Sequence, residues 1–163
     1  MCDYSLMSYK TRLAEDGEKL VLHRFPSSTL GLVSQDDLML EKQAKAAISA
    51  MPIWKRIKAW FTVEDVCNIP AVCVPPGATL FLRNISERGQ KNFQLKPEEK
   101  VSFVQLSANA NQYRDAFRFA DGREILLQKL EPGLQVDVIQ IALPEEIEQP
   151  EPAVSLRTFV VAQ

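Results

Sequence analysis

Cys2 is the residue with the most chemistry within reach. Removal of Met1, which a small second residue permits, would put a thiol and an α-amino group of pKa about 8 on one residue. That pair could act as a nucleophile with its own base, or chelate a soft metal through nitrogen and sulfur. The plainer reading is favoured: Cys2 opens a first strand as a small buried hydrophobe. His23 is the only histidine. A metal site would have to join it to Cys2, Cys67, Cys73 or carboxylates such as Asp3 and Asp115. No two of the cysteines stand at Cys-x-x-Cys spacing, so the zinc signal is weak and no metal or cofactor is expected.

Tyr113-Arg114-Asp115 is the second constellation. Arg114 could hold an anion and Asp115 could act as a base. As a surface ion pair or a turn cap they would contribute little. Trp54 to Phe61 is the third. This basic aromatic run could dock on a partner or lie on a membrane surface. Packing of Ile53, Ile57, Trp60 and Phe61 on the chain's own sheet is favoured, then partner binding, then membrane. The candidate binding residues are therefore Cys2, Asp3, Tyr4, Trp54, Trp60, Tyr113, Arg114 and Asp115. The chain has no Gly-rich phosphate loop, no Gly-x-Ser-x-Gly elbow and no Ser/His/Asp set recognisable by spacing.

Composition narrows the classes. The chain has 163 residues, 46% hydrophobic and 25% charged, enough for one core without disulfides to compensate. A formal net charge of -2 lacks the basic footprint of a nucleic-acid binder. No apolar run approaches the length needed to span a bilayer. The three cysteines, with no secretory leader, read as free thiols in a reducing cytoplasm.

The elements that would hold these residues are organised around Tyr113–Ile141. Asp121-Gly122 between two apolar-rich runs is a hairpin signal, and Pro132-Gly133 is a second turn. Together they predict a three-strand meander. Upstream, Glu18–Phe25 and Thr29–Val33 read as strands. Ser34-Gln-Asp-Asp37 can cap a helix over about 35–50, with acidic residues at its positive end. Pro52 interrupts that helix or starts a new one, and Ile53–Phe61 follows with Ile53, Ile57, Trp60 and Phe61 on one face. Ala71–Val74 and Thr79–Leu82 flank a rigid Pro75-Pro76-Gly77 turn. Asn84–Gln94 reads as a polar exposed loop, and Lys100–Leu106 as a strand. Pro144–Pro152 is acidic and proline-rich, an extended linker. Val154–Val161 returns to strand composition. A final strand in the chain's own sheet is favoured over a tail pairing with another chain's edge.

Several blocks resemble a group of small uncharacterised bacterial proteins. The opening Met1-Cys-Asp-Tyr-Ser-Leu6 is similar to theirs, as is the spacing Arg12, Ala14, Gly17, Leu20. Ala71-Val-Cys-Val-Pro-Pro-Gly77, Arg114-Asp-Ala116, Phe119, Asp121-Gly122, Leu126-Leu127 and Leu130 have counterparts too. The segment Ser34–Phe61 departs most, being short or absent in many of the similar proteins. The resemblance implies a bacterial origin and carries no activity across.

The expected fold is α+β and mostly β: a bent antiparallel sheet or small open barrel over 1–143, with one helical insertion at about 35–61. A linker at 144–153 and a strand or tail at 154–163 follow. The expected function is a non-catalytic cytoplasmic binding or accessory module acting through protein contacts, with no nucleic acid. A small thiol-dependent or metal-binding protein using Cys2 is the competing expectation.

Overall fold

Thr79-Leu-Phe-Leu-Arg83 alternates buried Leu80 and Leu82 with more exposed Thr79, Phe81 and Arg83, the period of a strand with one buried face. In the computed structural model, which describes residues 6, 8–50, 52, 54, 69–107 and 112–141, that alternation recurs in neighbouring strands. The strands are β1 (Thr11–Leu13), β2 (Lys19–Arg24), β3 (Leu30–Ser34), β4 (Ala71–Cys73), β5 (Thr79–Arg83), β6 (Glu99–Gln105), β7 (Asp115–Phe119), β8 (Glu124–Leu126) and β9 (Gln135–Gln140). Two helices, α1 (Gln35–Ser49) and α2 (Glu87–Phe93), and a 3-10 turn at Leu127–Lys129 complete the described residues.

Seven strands make one antiparallel sheet in the order β3-β2-β9-β5-β6-β7-β8. Its concave side collects Leu20, Leu22, Leu80, Leu82, Val101, Phe103, Phe117, Val136 and Val138 into one core. The register shifts between Thr79 and Leu80 opposite β9, a bulge that bends the sheet. The sheet curls until its first and last strands approach. There the Gln128 carboxamide accepts from the Leu30 amide at 2.9 Å and donates to the Leu30 carbonyl at 2.7 Å. One side chain thus imitates a strand across the seam. The result is the mostly β, half-barrel form of an α+β fold.

β1 and β4 pair in parallel as a separate two-stranded sheet, Leu13 opposite Cys73. A second apolar cluster, with Leu6, Phe25, Val33, Ile69 and Ala71, lies beside β3 and β4. Gly31 sits close against this cluster, and a larger residue would have to displace the Leu6 side chain. A Cβ on it would fall 2.7 Å from Leu6 Cδ1 and 3.0 Å from the Phe25 ring.

Three expectations are corrected. The meander stops after its first hairpin. β7 and β8 pair, but β9 crosses the barrel and lies between β2 and β5. The reason is local: the 3-10 turn ends β8 after Leu126, and Gly133 N then bonds the Leu22 carbonyl at 2.7 Å. The segment Asn84–Gln94, expected as a loop, contains α2. Cys73, expected as a free thiol, is disulfide-bonded. Residues 142–163, with the expected linker and final strand, and most of the expected second helical stretch at 53–61, lie outside the described residues.

Candidate functional site

The sequence-derived candidates do not converge on one place. Cys2, Asp3, Tyr4 and Trp60 lie outside the described residues. Trp54 is 83% exposed. Tyr113 is half-exposed, whereas Asp115 is buried at the start of β7 and accepts from Gln105 Nε2 at 3.0 Å. Gln105 is also its partner in the β6–β7 register. Asp115 therefore serves the hairpin, with its Oδ1 already engaged by Gln105. The Arg114 carbonyl closes the same hairpin by accepting from the Leu106 amide. His23 stacks edge-on against Phe25 with ring centroids 5.3 Å apart. Burial pulls its pKa below the ordinary value, Lys45 and Lys42 add to that, and Glu41 opposes it. No group of three metal-ligating side chains occurs among the described residues.

The polar cluster around Arg12 and Glu18 is structural. Burial pushes the Glu18 carboxyl up, but two Arg12 hydrogen bonds, the Glu15 amide and the Ser34 hydroxyl outweigh it and hold it below the usual carboxylate range. Asp37, in the first turn of α1, approaches the same guanidinium at 3.6 Å. The cluster joins β1, the turn before β2 and the start of α1.

What the fold does assemble is an open trough between α2 and the connection from β8 to β9. Its elements are built locally. Ser86 caps α2, its Oγ accepting from the Gly89 amide at 3.0 Å. Gln94 ends the helix in the left-handed conformation, φ 52° and ψ 47°. Arg123 then ties that end to the β7–β8 turn. Its guanidinium donates to the Phe93 and Gln94 carbonyls and pairs with Asp121 at 2.6 Å. A cation at a helix C-terminus also complements the helix dipole. The Arg123 amide and guanidinium in turn hold the Asp121 carboxyl below its usual range.

The trough has two adjoining compartments of about 340 and 430 Å³, which share Asn92, Phe93 and Lys129. Ile85, Phe93, Leu130 and Leu134 supply apolar surface to the first, and Ile125 to the second. Asn84, Arg88, Asn92, Lys129 and Glu131 add polar groups. Arg88 meets Glu131 only at 3.8 Å, and both are exposed. The Lys129 ammonium has no ion pair or hydrogen bond among the described residues. An apolar floor under scattered charges and amides suits an extended ligand whose backbone and charged groups meet the rim.

Sequence reasoning missed this site because α2 is polar and carries Gly89 in its middle. Ser86 ahead of a run of polar helix formers was the available signal. Leu130 and Leu134 come from the far side of a turn, and nothing in the spacing joins them to residues 84–93. No family model, no curated protein and no solved structure matches this chain.

Proposed function

We propose that this chain is a non-catalytic binding module that works through contacts with another protein. The trough between α2 and the β8–β9 connection is the observation that carries this reading. It offers apolar patches beside a rim of amides and charges, the division of labour of peptide grooves. The exposed Trp54 supplies a further apolar surface away from the sheet core. The chain's net charge of -2 argues against nucleic acid as the partner. Among the described residues no helix is long and apolar enough to cross a membrane. The Cys73 disulfide removes the free-thiol part of the ground for a cytoplasmic location.

The test is isolation of the tagged full-length chain after cross-linking in its native cell, beside Lys129→Glu and Arg88→Glu. Both side chains are exposed, so neither change should shift the thermal midpoint appreciably. A partner recovered by the wild type should fall about tenfold in at least one variant, the effect of losing roughly 1.4 kcal/mol of binding. Undiminished recovery in both would overturn the reading. Loss in Cys2→Ser alone would favour thiol chemistry at Cys2 instead.

A further inference from the structure

We propose that the outer edge of β1 receives the segment Val154-Ser-Leu-Arg-Thr-Phe-Val-Val161 of the same chain as a third strand of the β1–β4 sheet. This goes beyond the protein-contact reading and does not depend on the trough. The first argument is the ladder. The Ala71 amide donates to the Lys10 carbonyl at 2.8 Å, and the Ala14 amide to the Cys73 carbonyl at 3.0 Å. In this parallel register the backbone groups of Lys10, Arg12 and Ala14 turn to β4, and those of Thr11 and Leu13 turn outward. Among the described residues only the Arg12 guanidinium reaches any of these outward groups, at 3.2 Å from the Leu13 carbonyl. The Leu13 side chain beside them is 66% exposed. Parallel strands are ordinarily covered, and two short ones make a marginal sheet. β4 is buried throughout, so what the pair lacks lies on the β1 side. The edge strands of the main sheet, β3 and β8, instead converge on the seam that Gln128 bridges.

The second argument is the occupant's composition and the place where the chain leaves β9. Val154, Thr158, Phe159, Val160 and Val161 are β-branched or aromatic, the residues that favour strands. At a period of two, Val154, Leu156, Thr158 and Val160 share one face, while Ser155 and Arg157 fall on the other. β1 divides in the same way: exposed Leu13 is on one face, and Arg12, paired with Glu18, is on the other. The exit lies beside β1. The Gly17 amide donates to the Val138 carbonyl at 2.8 Å, and the Ile141 amide is held by Asp16 at 2.6 Å. Asp16 follows Leu13 by three residues, at most about 11 Å of chain. Residues 142–153 are rich in proline and span up to about 37 Å in an extended form, so 154–161 reaches either end of β1. A tether of this length holds the segment at an effective concentration near the millimolar range. That favours the chain's own segment over a second molecule in dilute solution.

Residue-resolved amide hydrogen exchange of the full-length chain, read by NMR, tests this. The outward amides of Thr11 and Leu13 should be protected in the wild type, and equally so at about 20 and 500 μM protein, because a tethered contact does not depend on concentration. The double change Thr158→Pro, Phe159→Pro removes a donor from each edge of the segment. In that variant Thr11 and Leu13 should exchange at least about tenfold faster, while Leu80 and Val138 in the main sheet keep their wild-type rates. Unchanged rates there exclude misfolding as the cause. The control Thr158→Val, Phe159→Tyr keeps both amides and the strand propensity, and should leave Thr11 and Leu13 protected. Unprotected Thr11 and Leu13 amides in the wild type would overturn the proposal. So would protection that the two prolines leave untouched. Protection that grows with concentration, beside a dimer in sedimentation, would assign the segment to a second copy and overturn its placement on its own β1. None of these readouts involves Lys129 or Arg88, so failure here leaves the trough reading to its own test.

Discussion

The central strands and α1 take their order from different sources. In β5 and β9 the inward residues Leu80, Leu82, Val136 and Val138 are at most 2% exposed. Each is covered by strands distant in sequence, so this region stands on tertiary burial. α1 has fifteen residues, and none of its described side chains is buried. Leu38 packs against the smaller cluster and Asp37 approaches Arg12, both near the first turn. Beyond them Met39 and Leu40 face solvent. There the helix relies on good helix formers and on pairs such as Glu41–Lys45 at 2.8 Å. Regular structure is thus not evidence of a packed face: the sheet is fixed from outside each strand, and the distal helix mainly from within.

The largest expected effect tests that contrast directly. Phe117 is fully buried against Phe103 and the rest of the main core. Phe117→Ala should cost about 3–5 kcal/mol in urea unfolding. Leu40 is 62% exposed. Leu40→Ala should stay within about 0.5 kcal/mol of the wild type. Similar losses in the two variants would mean that α1 is as firmly packed as the sheet.

The same contrast explains what could be read in the sequence. Strands with inward Leu, Val and Phe at every second position announce themselves, and β2, β3, β5, β6 and β7 fall close to their expected limits. Asp121-Gly122 is the turn between β7 and β8, with Gly122 at φ 85°. Strand order was not legible. It depends on where the chain goes after Leu126, and the decisive residue is Gln128, a polar side chain whose partner, Leu30, is 98 residues away. The trough was illegible for a related reason. Its two walls meet only because β9 lies beside β5, so that Leu134 is brought to the base of α2.

A middle-sized effect asks whether the sheet also carries local, backbone-level order at its turns. A Cβ on Gly122 would meet nothing within 4 Å, so substitution there carries no steric clash. The cost of Gly122→Val is then backbone strain at positive φ, about 1 kcal/mol or somewhat more. Gly122→Asn should cost less, because asparagine tolerates the left-handed region. Equal urea midpoints for Val, Asn and wild type would show that the β7–β8 turn does not depend on this conformation.

The smallest effect falls where the two regions meet. His23 projects from β2, and the charges acting on it are Glu41, Lys42 and Lys45, all from α1. Burial lowers its pKa below 6.5, the two lysines push the same way, and Glu41 opposes them. The folded state therefore keeps His23 neutral at a pH where the unfolded chain has begun to bind a proton. That contribution to stability is complete above about 6.5 and declines as pH falls toward the lower folded value. Glu18 adds a second loss further down. Its carboxylate is favoured by folding, so its contribution is present above about 4.5 and disappears as pH drops through its depressed folded value. Urea midpoints should thus fall in two stages on acidification, and His23→Phe should flatten only the upper one. With a single histidine in the chain, a proton NMR titration reads the site without assignment. Its midpoint should lie below 6.5, and Lys42→Ala with Lys45→Ala should raise it slightly. A midpoint at or above 6.5, unmoved by those changes, would mean that the helix does not rest near β2 in solution and that its order is local along its whole length.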